Sequence, residues 1–259
     1  MKDIIILAHY CGSLDDKSNS RFLELATMLS KDHKVEVITT DFLHGPKKHI
    51  KAVDHEFPFK VTLCHESGYP KNVCLKRFVS HRQFGKNVKK YLQSRKVPDV
   101  IFAAIPSLTA PFIAAKYCKN HNIRFVIDVQ DIWPEAFKMV FNVPLISSLM
   151  FAPFTYLANY IYSHADSVCA VSETYVNRAL EVNKKVSSGK SVYLGTRLKE
   201  FDKFAKQSIS MEKGSNEIWL AYIGTLGHSY DLTVVFDALK ILIEQEIKNL
   251  KFIVMEMVF

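Results

Sequence analysis

Short apolar runs that alternate with helix-patterned segments constrain this chain more than any other feature. "DIIILA" (3–8) is continuously apolar after its first residue, the mark of a strand buried on both faces. Residues 20–31 then set Phe22, Leu25, Ala26 and Leu29 at helical spacing, with Asn19 or Ser20 as the N-cap. The alternation continues through "KVEVITT" (34–40), "FKVTLC" (59–64), "PDVIFAA" (98–104), "IRFVIDV" (123–129), "DSVCAVS" (166–172) and "KSVYLG" (190–195). Between these strands the pattern predicts helices over 73–93, over 108–120 with Ser107 as cap, over 145–163, and a short one capped by Ser172. Strand–helix repetition of this kind demands right-handed crossovers and a mostly parallel sheet. The expected fold class is α/β, with a complete doubly wound domain over 1–205.

The stretch "KQSISMEKGSNE" (206–217) is polar and reads as a linker. The pattern then restarts with the strand "IWLAYIG" (218–224), a helix over 232–246 with Asp231 as N-cap, and the strand "KFIVM" (251–255). The helix places Val234, Val235, Ala238, Leu239, Leu242 and Ile243 on one face. Residues 218–259 therefore read as the opening βαβ unit of a second doubly wound domain. A unit this small cannot bury both faces of two parallel strands, so that domain is expected to be incomplete.

Composition excludes several classes. With 48% apolar and 23% charged residues the chain is of ordinary globular make-up. Five scattered cysteines without a CxxC pair argue against a zinc ribbon or a disulfide framework and for a reducing compartment. The start "MKDIIILAHYCG" lacks the basic region and long apolar core of a signal peptide.

The net charge of +8 is unevenly spread. From Ser67 to Pro98 there is no acidic residue, while Lys71, Lys76, Arg77, Arg82, Lys86, Lys89, Lys90, Arg95 and Lys96 all fall there. Such a surplus suits an anionic partner (lipid head groups, a phosphorylated ligand or nucleic acid), or it is a solvated helix face. The helix expected there carries Leu75, Phe78, Val79, Val88, Tyr91 and Leu92 as its apolar stripe. Residues Met139 to Ala165 contain no Asp, Glu, Lys or Arg. Pro144, Pro153 and Asn159 argue against a membrane span there and leave a buried helix or a membrane-surface helix.

Ligands of open α/β sheets bind beyond the carboxyl ends of the strands. In "AHYCGSLDDKSNS" (8–20), Gly12 and Ser13 offer backbone N–H groups to an anion, or form an ordinary βα loop. In "DVQDIWPEAF" (128–137), Asp128, Asp131 and Glu135 can bind sugar hydroxyls and Trp133 can stack on a ring; alternatively Asp131 caps the next turn and Trp133 packs in the core. In "YIGTLGHSYDL" (222–232), Gly224 and Gly227 bracket a tight loop entering a helix, where a pyrophosphate can sit, or form a plain turn. The dinucleotide fingerprint, the P-loop, G-x-S-x-G and H-E-x-x-H are absent, and ten histidines show no metal-ligand spacing.

Together "DVQDIWPEAF", "ADSVCAVSE" (165–173), "SVYLGTRLKEF" (191–201) and "AYIGTLGHSYDLTVVFDALKIL" (221–242) resemble a family 4 (group 1) glycosyltransferase of GT-B fold. The likeness is to the bacterial branch that builds capsule and O-antigen polysaccharide, and it covers all 259 residues. It implies retaining transfer from a nucleotide-sugar to an acceptor that is often a lipid-linked glycan. No cofactor or obligatory metal is implied, and nucleic acid has no part. By resemblance Asp131 is catalytic, Trp133 and Glu135 bind acceptor, and Gly12, Ser13, Gly224, Thr225, Leu226, Gly227 and His228 bind donor. Location would be cytoplasmic, peripheral at the inner face of the cell membrane, against an anionic surface.

The departures matter. The first loop holds one glycine where many relatives have several, and only His228 can carry charge in the loop after Gly224. "EMVF" (256–259) stands where relatives have a glycine-rich turn and further βα units. The expectation is a chain cut short in the donor domain, active weakly or not at all, or an acceptor-binding module served by a separate donor-domain chain. A nucleotide-sugar epimerase suits the basic and uncharged segments less well.

Overall fold

The structure is a computed structural model, and it describes residues 1–15, 20–140, 143, 146–205, 211–224, 226, 231–247 and 249–255 (the side chains of 138–140 and 204 excepted). The chain divides into two compact units, Met1–Thr196 and Arg197–Phe259.

The first unit is built on a seven-stranded sheet of order β5-β2-β1-β6-β7-β8-β9, and every pairing in it is parallel. Its strands are β1 (Asp3–Leu7), β2 (Lys34–Thr40), β5 (Lys60–Cys64), β6 (Val100–Ile105), β7 (Arg124–Val129), β8 (Ser167–Ala170) and β9 (Lys190–Ser191). A two-residue pair, β3 (Phe42–Leu43) and β4 (Lys48–His49), forms a separate antiparallel hairpin. The helices are α1 (Arg21–Leu29), α2 (Leu75–Ser94), α3 (Thr109–His121), α4 (Glu135–Val140), α5 (Ile146–His164) and α6 (Glu173–Leu180). The apolar runs became strands because both sheet faces are covered: Ile5, Ile6, Leu7, Ile101, Ile105 and Ile127 are all essentially inaccessible. One core lies between the sheet and α2, α3, α5 and α6; the other lies between the sheet and α1. Burying an Ile or Leu completely contributes about 1.5–3 kcal/mol.

Several local expectations need correction. Ser107 does not cap α3; Leu108 holds the cap position, and the Ser107 hydroxyl bonds to His9 instead. Of "KSVYLG" only Lys190 and Ser191 form strand pairs: Val192 N still donates to Ala170 O at 2.8 Å, but Val192, Tyr193 and Leu194 are exposed and the strand goes no further. The inward face of α2 is Ser80, His81, Phe84, Gly85, Val88 and Leu92, so Leu75 and Val79 from the expected stripe face solvent. Gly85 lets α3 approach: a Cβ there would lie 2.6 Å from the Thr109 methyl group. Ser172 does cap α6, accepting from Tyr175 N. Among the described residues no helix is long and apolar enough to cross a membrane.

The second unit contains α7 (Leu198–Ala205), β10 (Ile218–Ile223), α8 (Thr233–Glu244) and β11 (Leu250–Met255). β10 and β11 pair in parallel from Ile218↔Leu250 to Ile223↔Met255. Leu232 occupies the cap position of α8, while Asp231 Oδ1 accepts from Thr233 N at 3.0 Å. No residue of α8 is buried.

Candidate functional site

All seven parallel strands of the first unit deliver their following loops to one edge. Strand order reverses between β1 and β6, and a crevice at such a switch point is where doubly wound sheets bind ligands. His9 follows β1 and Ser107 follows β6, and they meet there, with His9 Nδ1 2.7 Å from Ser107 Oγ. His9 Nε2 lies 2.8 Å from Glu66 Oε1, just beyond β5. The same carboxylate oxygen accepts from the Thr40 hydroxyl at 2.7 Å, and Glu66 Oε2 accepts from Ser80 Oγ at 2.5 Å. Burial opposes charge on Glu66, but hydrogen bonds from His9, Ser80 and Thr40 hold its carboxyl below the usual range. Ser107, His9 and Glu66 are all inaccessible, so this relay positions the floor of the site.

Above that floor lies a layer of rings and cations. His81 Nε2 is 2.8 Å from the Tyr10 hydroxyl, and its ring lies parallel to Trp133 at 5.9 Å. Burial pushes protonation of His81 strongly down, and the charges of His9, Arg77 and His44 add to it. The Arg77 guanidinium sits 4.8 Å from the Trp133 ring, 5.6 Å from Tyr69 and 5.8 Å from Tyr10. Arg77 donates to Tyr10 Oη at 3.0 Å and to Asn72 O at 2.9 Å, and its buried Nε has no partner. Lys47 Nζ bonds to Asn72 Oδ1 at 2.5 Å and to the His44 carbonyl, 5.1 Å from the Tyr69 ring. The Tyr69 hydroxyl meets His44 Nδ1 at 2.5 Å. Burial and then the neighbouring charges of Lys47 and Arg77 push the His44 pKa down to about 4. Among the described residues neither Arg77 nor Lys47 makes a direct ion pair with a carboxylate, and the nearest negative charge acting on the layer is that of Glu66 in the floor.

No protein-family model matches the sequence, and no curated protein matches it. Solved structures do. One is the E. coli trehalose-6-phosphate structure bound with UDP-2-fluoro glucose, at 12% identity and TM-score 0.63, covering 98% of this chain and 64% of that one. Another is the glycotransferase of kitacinnamycin, at 12% identity and TM-score 0.52, covering 98% of this chain and 65% of that one. A third is Arabidopsis thaliana UGT89C1 complexed with UDP-L-rhamnose, at 13% identity, TM-score 0.52 and the same two coverages, 98% and 65%. The chain has a GT-B-like fold. It spans a little under two thirds of the length of each of these three structures.

On this GT-B-like frame the residues singled out from sequence are placed as follows. Asp131 Oδ1 accepts from Ile132 N at 2.9 Å, and Oδ2 accepts from Trp133 Nε1 at 3.1 Å. Trp133 is buried, with one face toward His81 and Arg77. Glu135 pairs with Arg178 at 2.6 Å. Asp128 is fully buried: Arg21 Nε and Nη2 grip its two oxygens at 2.8 and 2.9 Å. It therefore has no oxygen facing a ligand. Gly12, at φ +79°, and Ser13 are exposed, and Ser13 borders a shallow cleft of about 320 Å³ with Asp15, Asp54 and His55. In the second unit Gly224 N donates to Met255 O at 3.1 Å, and Leu226 is exposed. Thr225, Gly227 and His228 lie outside the described residues.

Sequence reasoning missed His9, Tyr10, His44, Lys47, Glu66, Tyr69 and His81, and named Arg77 only as one of nine basic residues suited to an anionic partner. A signal existed for several of them. His9, Tyr10 and Glu66 come two or three residues after strands of the sheet, where ligand-binding loops begin, and Arg77 lies in the acid-free stretch.

Proposed function

We propose that this chain is a glycosyltransferase of the family 4 kind, transferring a sugar with retention from a nucleotide-sugar to a lipid-linked glycan in cell-surface polysaccharide synthesis. The observation that carries the reading is the layer of Arg77 and Lys47, neither in a direct ion pair, set against aromatic rings at the strand ends of a GT-B-like unit. Aromatic faces suit a sugar ring, and unpaired cations suit the phosphate of an activated or lipid-linked glycan. Two structural neighbours are bound with UDP-2-fluoro glucose and UDP-L-rhamnose, which supports a nucleotide-sugar donor.

A surface feature supports a peripheral position on the cytoplasmic face of an anionic membrane. Val73, Leu75 and Val79 in and before α2 are exposed, as are Ile146, Leu149 and Met150 on α5. The two helices meet through Phe78 and Phe154, 5.0 Å apart, and Lys71 and Lys76 flank the α2 residues. Apolar residues beside lysines bind head groups by insertion and charge together.

The test is sugar transfer by this chain from a panel of UDP- and GDP-sugars to lipid-linked acceptors, with wild type beside Arg77→Ala. Turnover that falls at least tenfold in the variant supports the proposal. Absence of turnover with retained, Arg77-dependent acceptor binding would favour the second reading: an acceptor-binding module that works with a separate donor-domain chain. Failure of vesicles containing anionic lipid to float the chain at low salt would remove the membrane part.

A further inference from the structure

We infer that Asp41, His49 and His65 form a divalent transition-metal site that fastens the β3–β4 hairpin to the sheet edge. The three residues come from separate backbone segments. Asp41 follows β2 and His65 follows β5, and since Thr40 pairs with Cys64 these two positions continue the register of adjacent parallel strands. His49 comes from β4, opposite Phe42 in the hairpin. Both imidazoles turn Nδ1 to the same carboxylate: His65 Nδ1 is 2.7 Å from Asp41 Oδ2, and His49 Nδ1 is 3.3 Å from Asp41 Oδ1. The ligand atoms all lie within 4.8 Å of one another.

A metal holding nitrogen and oxygen ligands at ~2.0–2.2 Å sets them ~3.4 Å apart in a tetrahedron. The Asp41–His49 separation of 3.3 Å is close to that value, and the 2.7 Å contact between Asp41 and His65 must open to reach it. The framework is otherwise fixed. Asp41 Oδ1 accepts from Glu66 N at 3.2 Å, and Asp41 O accepts from Ile50 N at 2.8 Å. The His49 ring packs against Phe42 at 5.1 Å. Gly68, at φ +73°, leaves it room: a Cβ there would meet the Phe42 ring at 2.6 Å and His49 Nε2 at 3.2 Å.

Access is open, since the side chains of His49 and His65 are 39% and 58% exposed. Water can complete the coordination. Two imidazoles with one carboxylate select zinc, cobalt, nickel or copper over magnesium and calcium, which need more oxygen ligands. The other close group, His9, Glu66 and His81, is fully buried, and its carboxylate is already bonded by His9, Thr40 and Ser80. It offers a metal neither entry nor a free ligand. The inferred ion would instead brace the neighbours of that group, because Asp41 adjoins Thr40 and His65 adjoins Glu66.

The full chain, stripped with a chelator, is dialysed against micromolar zinc and its bound metal is measured. Cobalt is then added separately and its visible absorption is recorded. A single equivalent of zinc, with a cobalt spectrum of a nitrogen- and oxygen-ligated low-coordinate ion, is expected. His49→Ala and His65→Ala should each lower zinc affinity about tenfold or more, while His121→Ala on the surface of α3 should not. Both ligand histidines are exposed, so far-UV circular dichroism of the variants should match wild type. Zinc uptake that survives both ligand substitutions overturns the inference. So does uptake abolished by His81→Ala and untouched by His65→Ala, which would place the ion in the buried group.

Discussion

The Arg21–Asp128 pair gives a sharp quantitative test of how the strand-end loops are held. Arg21 opens α1, directly after the first loop, and Asp128 lies near the end of β7, 107 residues away. Besides gripping both carboxylate oxygens, Arg21 donates to the carbonyls of Val192 and Tyr193 at 2.7 and 3.3 Å, tying the first loop to the segment after β9. Arg21→Met keeps the aliphatic stem and removes the fork. It strands a fully buried carboxylate, a change that costs about 3–5 kcal/mol. For a unit of this size that lowers Tm by roughly 6–20 °C. The pH dependence adds a second reading. Burial pushes the Asp128 carboxyl up, and Arg21 opposes this. In the variant the opposition is gone, so the folded state keeps a proton that the unfolded chain releases near pH ~3.9. Stability of the variant then falls as pH rises through that window, and its deficit against wild type is greatest near neutral pH and shrinks toward pH ~4. Urea unfolding followed by circular dichroism across that range measures both effects. Arg21→Met combined with Asp128→Leu should recover most of the loss, because no buried charge remains unpaired. A deficit under ~1 kcal/mol, or one that does not change with pH, would refute the reasoning.

His44 supplies a contrasting pH effect. Its pKa is pushed down to about 4, by burial first and then by Lys47, Arg77 and His9, with Glu66 acting the other way. Between that value and ~6.5 the unfolded chain binds a proton that the folded chain refuses. This contribution is therefore fully present above pH ~6.5 and is lost as pH falls toward ~4, with a ceiling of ~3 kcal/mol that partial exposure cuts to about 1–2 kcal/mol. His44→Gln should flatten the stability slope across that range in denaturant titrations, and an unchanged slope would count against the assignment. Cysteine reactivity should be strongly ordered. Burial pushes the Cys11 and Cys64 thiols up to about 11 and Cys118 up to about 12, whereas Cys74 is only half-buried. Iodoacetamide followed by peptide mapping should label Cys74 first in the native protein, and early labelling of Cys118 would contradict the packing described for α3.

The sheet was legible in the sequence because burial on both faces leaves an unambiguous trace. Every apolar run read as a strand in the first unit became a parallel strand, except that the last runs out after Ser191. The candidate site was not legible, and α2 shows why. Its buried face carries Ser80, His81 and Gly85 among Phe84, Val88 and Leu92, so apolar periodicity found Val88 and Leu92 but added the exposed Leu75 and Val79 and passed over Ser80 and His81. The residues that spoil the pattern are those that reach the site: Ser80 bonds Glu66, and His81 bonds Tyr10. Ser107 follows the same logic, since its position before a helix suggested a cap while its hydroxyl is used by a histidine 98 positions away. An unpaired polar group in such a core costs about 1–3 kcal/mol, and on α2 both Ser80 and His81 are satisfied by partners at the site. Hence a break in the apolar face of a helix that crosses the carboxyl ends of a parallel sheet is itself a site signal. Applied to α2, that rule selects Ser80 and His81 from sequence alone, and the strand-end rule adds His9, Asp41, His65 and Glu66. What neither rule supplies is which of these meet, since the crossovers that bring residues 9, 41, 66, 81 and 107 together are a property of strand order and not of any local pattern.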